Sequence, residues 1–271
     1  GVYSSGVLDF FIEKDLFFEN NYGVSAGACH LCSYLAKQYK RAFRVNVDYL
    51  NDKRYCSVHS LLKTGNLFGA EMLYDIIPNE LDLFDYDTYN KNESNFYVVI
   101  TDINTGKPEY VKIGDLKKDI IYVRASSSLP LLAQNVKIND KEYLDGGISD
   151  SIPIKKSIAD GNKKNVVILT RDSTYRKGKN SLMPIIKLKY KKYPNFVKSM
   201  ADRYIVYNEI LDFIKELEDN GDVFVIRPKK PVNIGRTEKN REKLEALYND
   251  GYNDAKDCYE ELLKYLGNEN L

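Results

Sequence analysis

The stretch Gly23-Val24-Ser25-Ala26-Gly27 sets a serine between two glycines, each two residues away. A serine hydroxyl becomes a nucleophile when a neighbouring base takes its proton. This spacing suits a sharp strand-to-helix turn, in which the glycines leave room for Oγ to stand clear of the backbone. Ala26 would open the helix, with its N–H directed at the place where an oxyanion forms. The same residues also suit an ordinary packing turn, so the chemistry depends on a base elsewhere in the chain.

A histidine far downstream would be the usual base, but the chain contains only His30 and His59. His30 falls five residues past Ser25 on the same helix, and His59 lies in the polar segment RYCSVHSLL. Both read as structural or surface residues. A carboxylate can take the role when a partly dry site raises its proton affinity. Tyr143-Leu144-Asp145-Gly146-Gly147 offers Asp145 at the end of a strand, with Gly146 and Gly147 letting the backbone turn closely behind it. An aspartate that only satisfies a turn would look the same. Cys29 and Cys32, with His30 between them, have metal-ligand chemistry, yet a zinc site needs a second pair nearby. They read as core thiols, and no metal or cofactor is expected.

These groups need elements to hold them. Val7, Phe10, Phe11 and Lys14 follow helical spacing, NYGV forms a short strand into the elbow, and ACHLCSYLAKQ continues as a helix. NFYVVITDI is a strand buried on both faces, NTGKPEYVKI a turn and returning strand, and NVKINDKEYLDGG a hairpin with Asn139-Asp140 at its tip. KNVVILT and DVFVIRP add two more strands. Between them, RDSTYRKGKNSLMPIIKLKYKKYP is basic and punctuated by glycine and proline, which suits a lid. Its alternation of lysine with apolar residues also suits contact with an anionic membrane surface. A helix runs from Phe196 to Leu217 and stops at Gly221, and a last one runs from Leu244 to Leu266. Strands interleaved with helices predict a mostly parallel or mixed sheet with helices on both faces.

Composition bounds the reading. With 40 Lys plus Arg against 39 Asp plus Glu, the chain has no global basic field, which weighs against nucleic acid as a partner. Cys29, Cys32, Cys56 and Cys258 are too few for a disulfide framework in 271 residues, so a reducing, cytoplasmic setting is expected. No apolar run approaches the roughly 20 residues of a membrane span. The alternation never breaks cleanly, so residues 1–271 read as a single domain: a catalytic core over 1–170, then a lid-like segment and C-terminal extension over 171–271.

Together, Gly23 to Gly27, Asp145-Gly146-Gly147, VVITDINTG and RASSSLPLLAQNVKINDKEYLDGGISDSIPIKKSIADG resemble the patatin-like phospholipases. The resemblance implies a three-layer α/β/α fold with a central, mostly parallel sheet. It implies a lipid acyl hydrolase in which Ser25 is the nucleophile and Asp145 its base, acting on lipid or other acyl esters. Gly1 fits the last glycine of the family's oxyanion loop, G-G-G-x-[RK]-G, whose other residues would precede it. Losing one such donor costs an enzyme about 2.7–4 kcal/mol. A non-catalytic lipid-binding or regulatory protein of the same fold, and a general esterase or thioesterase, are the alternatives at this stage.

Overall fold

The computed structural model describes residues 1–267. The chain opens with α1 (Val2–Glu13), β1 (Asn20–Gly23) and α2 (Ala26–Leu35). Three short helices follow, α3 (Arg41–Val47), α4 (Val58–Thr64) and, after a π-helical segment Met72–Leu81, α5 (Tyr86–Lys91). Then come β2 (Asn95–Asp102), β3 (Pro108–Ile113), α6 (Leu116–Ser126), β4 (Val136–Ile138), β5 (Lys141–Asp145) and α7 (Ile154–Ala159). The C-terminal part holds β6 (Asn165–Ile168), α8 (Met183–Lys189), α9 (Pro194–Asp219), β7 (Val223–Ile226), α10 (Arg241–Asp257) and α11 (Tyr259–Leu266).

β1 pairs in parallel with β2, while β3 and β5 pair antiparallel to β2 and β4 antiparallel to β5. β6 and β7 form a separate parallel pair. The period-2 alternation of strands decides which helices cover which face. Phe96, Val98 and Ile100 of β2, with Phe224 and Ile226 of β7, pack in one core with α1, α2, α6, α10 and α11. Leu144 packs with α8 and α9 on the other side, and Val167 and Val223 with α7 and α9. The expected three-layer α/β/α arrangement follows from that alternation.

Several elements differ from their sequence expectations. α1 begins at Val2, well before Val7, and its first ten residues are all buried, so its apolar spacing is not confined to one stripe. The last helix is two, broken at Cys258. The basic excursion contains α8, whose Ile186 is buried together with Tyr190 just beyond its end.

The strongest clasp joins α1 to α10. A Cβ on Gly6 would lie 2.0 Å from Tyr248 O, and one on Gly251 would lie 2.1 Å from Tyr3 O, so only glycine lets the two backbones meet. Beside them, the buried Asp9 accepts from Tyr248 Oη at 2.7 Å and from Lys40 N at 3.1 Å. Burial pushes its carboxyl up to about 6 against the pull of those bonds. The folded chain therefore keeps this proton longer than the unfolded one, whose aspartate titrates near about 4. The resulting stabilisation is complete below about pH 4 and is lost as pH rises through about 6. Asp9→Asn removes the ionisation while keeping the shape. Its Tm relative to the parent should be higher at about pH 7.5 than at about pH 4.5. A pH-independent difference in thermal melts would show that Asp9 does not titrate there.

Candidate active site

β1 enters the elbow and α2 leaves it. Gly23 is required because a Cβ there would sit 2.6 Å from Ala28 Cα, blocking the approach of strand and helix. A Cβ on Gly27 would meet nothing within 4 Å, so its bare backbone leaves open space at the start of α2. Ser25, between them, adopts φ 54° and ψ −125°. A non-glycine residue in the positive-φ region costs on the order of 1–3 kcal/mol and persists only where its surroundings over-determine it. Here Ser25 N donates to Ser126 Oγ at 2.9 Å, and Ala28 N donates to Ser25 O at 3.0 Å. The N–H of Ala26, the first residue of α2, donates to no acceptor among the described residues.

Asp145 arrives from the other side, at the end of β5. Its N–H donates to Ser128 O at 2.8 Å, and its carbonyl accepts from Thr101 Oγ1 at 2.8 Å. A Cβ on Gly146 would lie 2.0 Å from Val99 O, so the chain can press against β2 only as glycine. Gly147 N donates to Asp145 Oδ1 at 2.7 Å, and Ser25 Oγ donates to Asp145 Oδ2 at 2.7 Å. The structure thus brings Ser25 and Asp145 into direct contact across 120 residues of sequence. The carboxyl is buried, and burial raises its pKa. The Ser25 and Gly147 hydrogen bonds and the charges of Arg203 and Arg236 oppose that rise.

Gly1 packs against the elbow, where a Cβ would lie 2.7 Å from Ala26 Cβ. His30 is buried behind it, with Nε2 3.2 Å from Asn46 Nδ2, and burial pushes its imidazole down to about 3. It is neutral and makes no hydrogen bond with Ser25; His59 lies exposed in α4. Cys29 Sγ is 3.4 Å from Ser127 Oγ and Cys32 Sγ donates to Ala28 O at 3.4 Å, with both thiols pushed up by burial. Among the described residues, no three His, Cys, Asp or Glu side chains gather as a metal-ligand set.

A cavity of about 980 Å³ opens over this pair, lined by Ser25 and Asp145, Phe11 of α1, Tyr22 of β1 and Val167 of β6. That is the upper range of small-molecule sites. Sequence reasoning did not single out Ser126, which ties down the elbow, nor Arg203, which faces Asp145 from α9. Ser126 stood within the RASSS stretch; Arg203 occupies an ordinary polar position of a helix and carried no signal.

The layered fold and the glycine-bounded strand–turn–helix elbow define an α/β protein of the patatin type. The sequence profile of the patatin-like phospholipases matches residues 1–157, and the chain belongs to that family. Residues 193–267 match a second profile, a domain of unknown function, DUF6363. The chain is similar to the uncharacterized protein YjjU of Escherichia coli (strain K12), at 26% identity over 249 residues. That alignment covers 86% of this chain and 66% of the relative, so the chain spans just under two thirds of the relative's length.

Proposed function

We propose that the chain is a serine acyl-ester hydrolase of the phospholipase A type, working through a Ser25–Asp145 dyad. The observation that carries this reading is the 2.7 Å hydrogen bond from Ser25 Oγ, held at a strained φ, to a buried carboxylate. Ser25 Oγ attacks the ester carbonyl as its proton passes to Asp145 Oδ2. The oxyanion faces the unspent N–H of Ala26, beside Gly1 and Gly27, and the leaving alcohol takes the proton back from Asp145. Water then gives a proton to Asp145 and attacks the acyl-enzyme, and Ser25 Oγ leaves by taking that proton back from Asp145 as the fatty acid is released. No metal or cofactor enters this scheme. A fluorophosphonate probe should label Ser25, as read by peptide mass; labelling at a different serine would overturn the assignment.

Residues 1–271 act as one domain in this reading, with the α1–α10 clasp holding the elbow's support. The four unpaired cysteines fit a reducing cytoplasm. Among the described residues no helix is long and apolar enough to cross a membrane. Contact with lipid is instead peripheral, through α8. Its Ile186 faces the core, while Leu182, Ile185 and Leu188 stand exposed among Lys187, Lys189, Lys191 and Lys192. Residues 173–201 contain no acidic side chain to repel an anionic surface. Leu188→Glu should weaken sedimentation with phosphatidylglycerol vesicles by about tenfold or more, since it replaces apolar area exposed to the lipid with a charge of the lipid's own sign. Hydrolysis of a short soluble ester should be unchanged. Undiminished vesicle binding would remove α8 from the contact.

A further inference from the structure

We propose that Arg203, Lys177, Arg171 and Arg236 form an anion subsite in the Ser25 cavity that takes the phosphate of an acyl-ester substrate. The inference rests on the acyl-hydrolase reading and deepens it by naming the charge of the substrate. All four side chains line the cavity that holds Ser25 and Asp145. They converge from separate places: Arg171 just after β6, Lys177 in the segment before α8, Arg203 in α9 and Arg236 in the loop before α10. Two of them belong to the region that matches the domain of unknown function.

Among the described residues, none of the four lies within ion-pair distance of a carboxylate. Arg176, the neighbour of Lys177, shows the contrast, since it pairs with Asp212 at 2.6 Å. Arg203 is the most telling. Its Nε is sealed from solvent and has no acceptor among the described residues. Its Nη2 comes within 3.1 Å of the position a Cβ on Gly147 would occupy, next to the dyad. Asp145 is the nearby negative charge, but its two oxygens are already engaged by Ser25 and Gly147. Glu19 and Glu238 also line the cavity, but neither comes within ion-pair distance of the four cations, so positive charge is left in excess in a partly dry cleft. Such an excess is costly unless an anion joins it.

The scaffold holds the cations in place without neutralising them. Lys177 N donates to Asn208 Oδ1 at 2.8 Å, and Asn208 Nδ2 donates back to Lys177 O at 3.0 Å. Arg171 Nη1 donates to Val232 O at 2.7 Å, and its guanidinium lies 5.0 Å from the centre of the Tyr175 ring. Lys177 Nζ lies 5.2 Å from the Tyr207 ring. Burial and the three arginines push Lys177 down to about 8, so its charge is strained by its neighbours and would be favoured by a bound oxyanion. Forked guanidinium donors beside an ammonium match a phosphate, which accepts several charge-assisted hydrogen bonds at once. Since the subsite and the nucleophile share one cavity, phosphate and ester belong to one substrate molecule.

The test compares a short-chain 1-acylglycerol-3-phosphate with the 1-acylglycerol of the same chain, both as monomers, using the full chain. The phosphate ester should be preferred in kcat/KM by about tenfold or more, the size of one charge-assisted hydrogen bond. Lys177→Gln and Arg171→Gln should each erase most of that preference through KM, with the neutral ester hydrolysed within about twofold of the parent. Calorimetry with inorganic phosphate should show binding that both substitutions weaken. Equal kcat/KM on the two esters, with phosphate still bound, would assign the cations to free phosphate and overturn the substrate assignment. Phosphate binding indifferent to both substitutions would overturn the subsite itself, whether or not either ester is hydrolysed. Phosphate bound through these residues, with neither ester hydrolysed, would overturn the acyl-hydrolase reading and the substrate's part in the inference together.

Discussion

Ser25→Ala should abolish ester hydrolysis, with a loss on the order of 10⁶-fold in kcat, as when a serine hydrolase loses its nucleophile. Ser25 is the residue on the turn between β1 and α2, and its Oγ already donates to a buried carboxylate at 2.7 Å. Alanine keeps the backbone bonds to Ser126 and from Ala28, which run through main-chain atoms of residue 25. The fold should therefore survive, with Tm shifted by no more than a few degrees. Turnover of a short soluble acyl ester is the direct measurement. Activity within tenfold of the parent, in protein that melts normally, would show that another residue attacks the ester.

Asp145→Asn should lower kcat/KM by roughly 10²–10⁴-fold, the usual contribution of a positioned general base. The substitution keeps the side-chain shape, and its oxygen can still accept from Gly147 N. It removes the proton acceptor facing Ser25 Oγ. The pH profile carries a second signature. Burial raises the Asp145 carboxyl above its ordinary value near about 4. Only the ionised form can take the serine proton, so kcat/KM should fall as pH drops through an apparent pKa higher than that of a free aspartate. The residual activity of Asp145→Asn should lack that acidic limb. Near-normal turnover in the variant, or an unchanged limb, would exclude Asp145 as the base.

The elbow and the Asp-Gly-Gly turn were legible in sequence because their geometry restricts residue type. Gly23 and Gly146 occupy places where a Cβ would strike backbone at 2.6 Å and 2.0 Å. The buried strand β2 was legible for a related reason, since covering both faces demands an unbroken apolar run. Residues 36–94 gave no such constraint. Helices α3, α4 and α5 are only 6 or 7 residues long, and the π-helical segment carries Pro78 inside it. Such pieces are held by tertiary packing more than by any period of their own. The break at Cys258 was hidden because no glycine or proline marks it. The segment expected to be a lid hid α8, since its apolar residues face two directions, Ile186 to the core and Leu188 to solvent. Arg203 was invisible because its meaning lies in what β6, α9 and the loop before α10 bring beside it.

The clasp between α1 and α10 also sets an order of events in folding. Tyr3 Oη bonds Asp254 across 251 residues, and Tyr248 Oη bonds Asp9 across 239. Contacts of such sequence separation carry a high loop-closure cost and slow the search for the native topology. During synthesis, the face of α1 that meets α10 stays uncovered until residues near 250 have emerged. Ser25 and Asp145 are encoded early, whereas the helix that completes the cover of α1 comes late, and the nascent chain must shield an apolar face in the meantime.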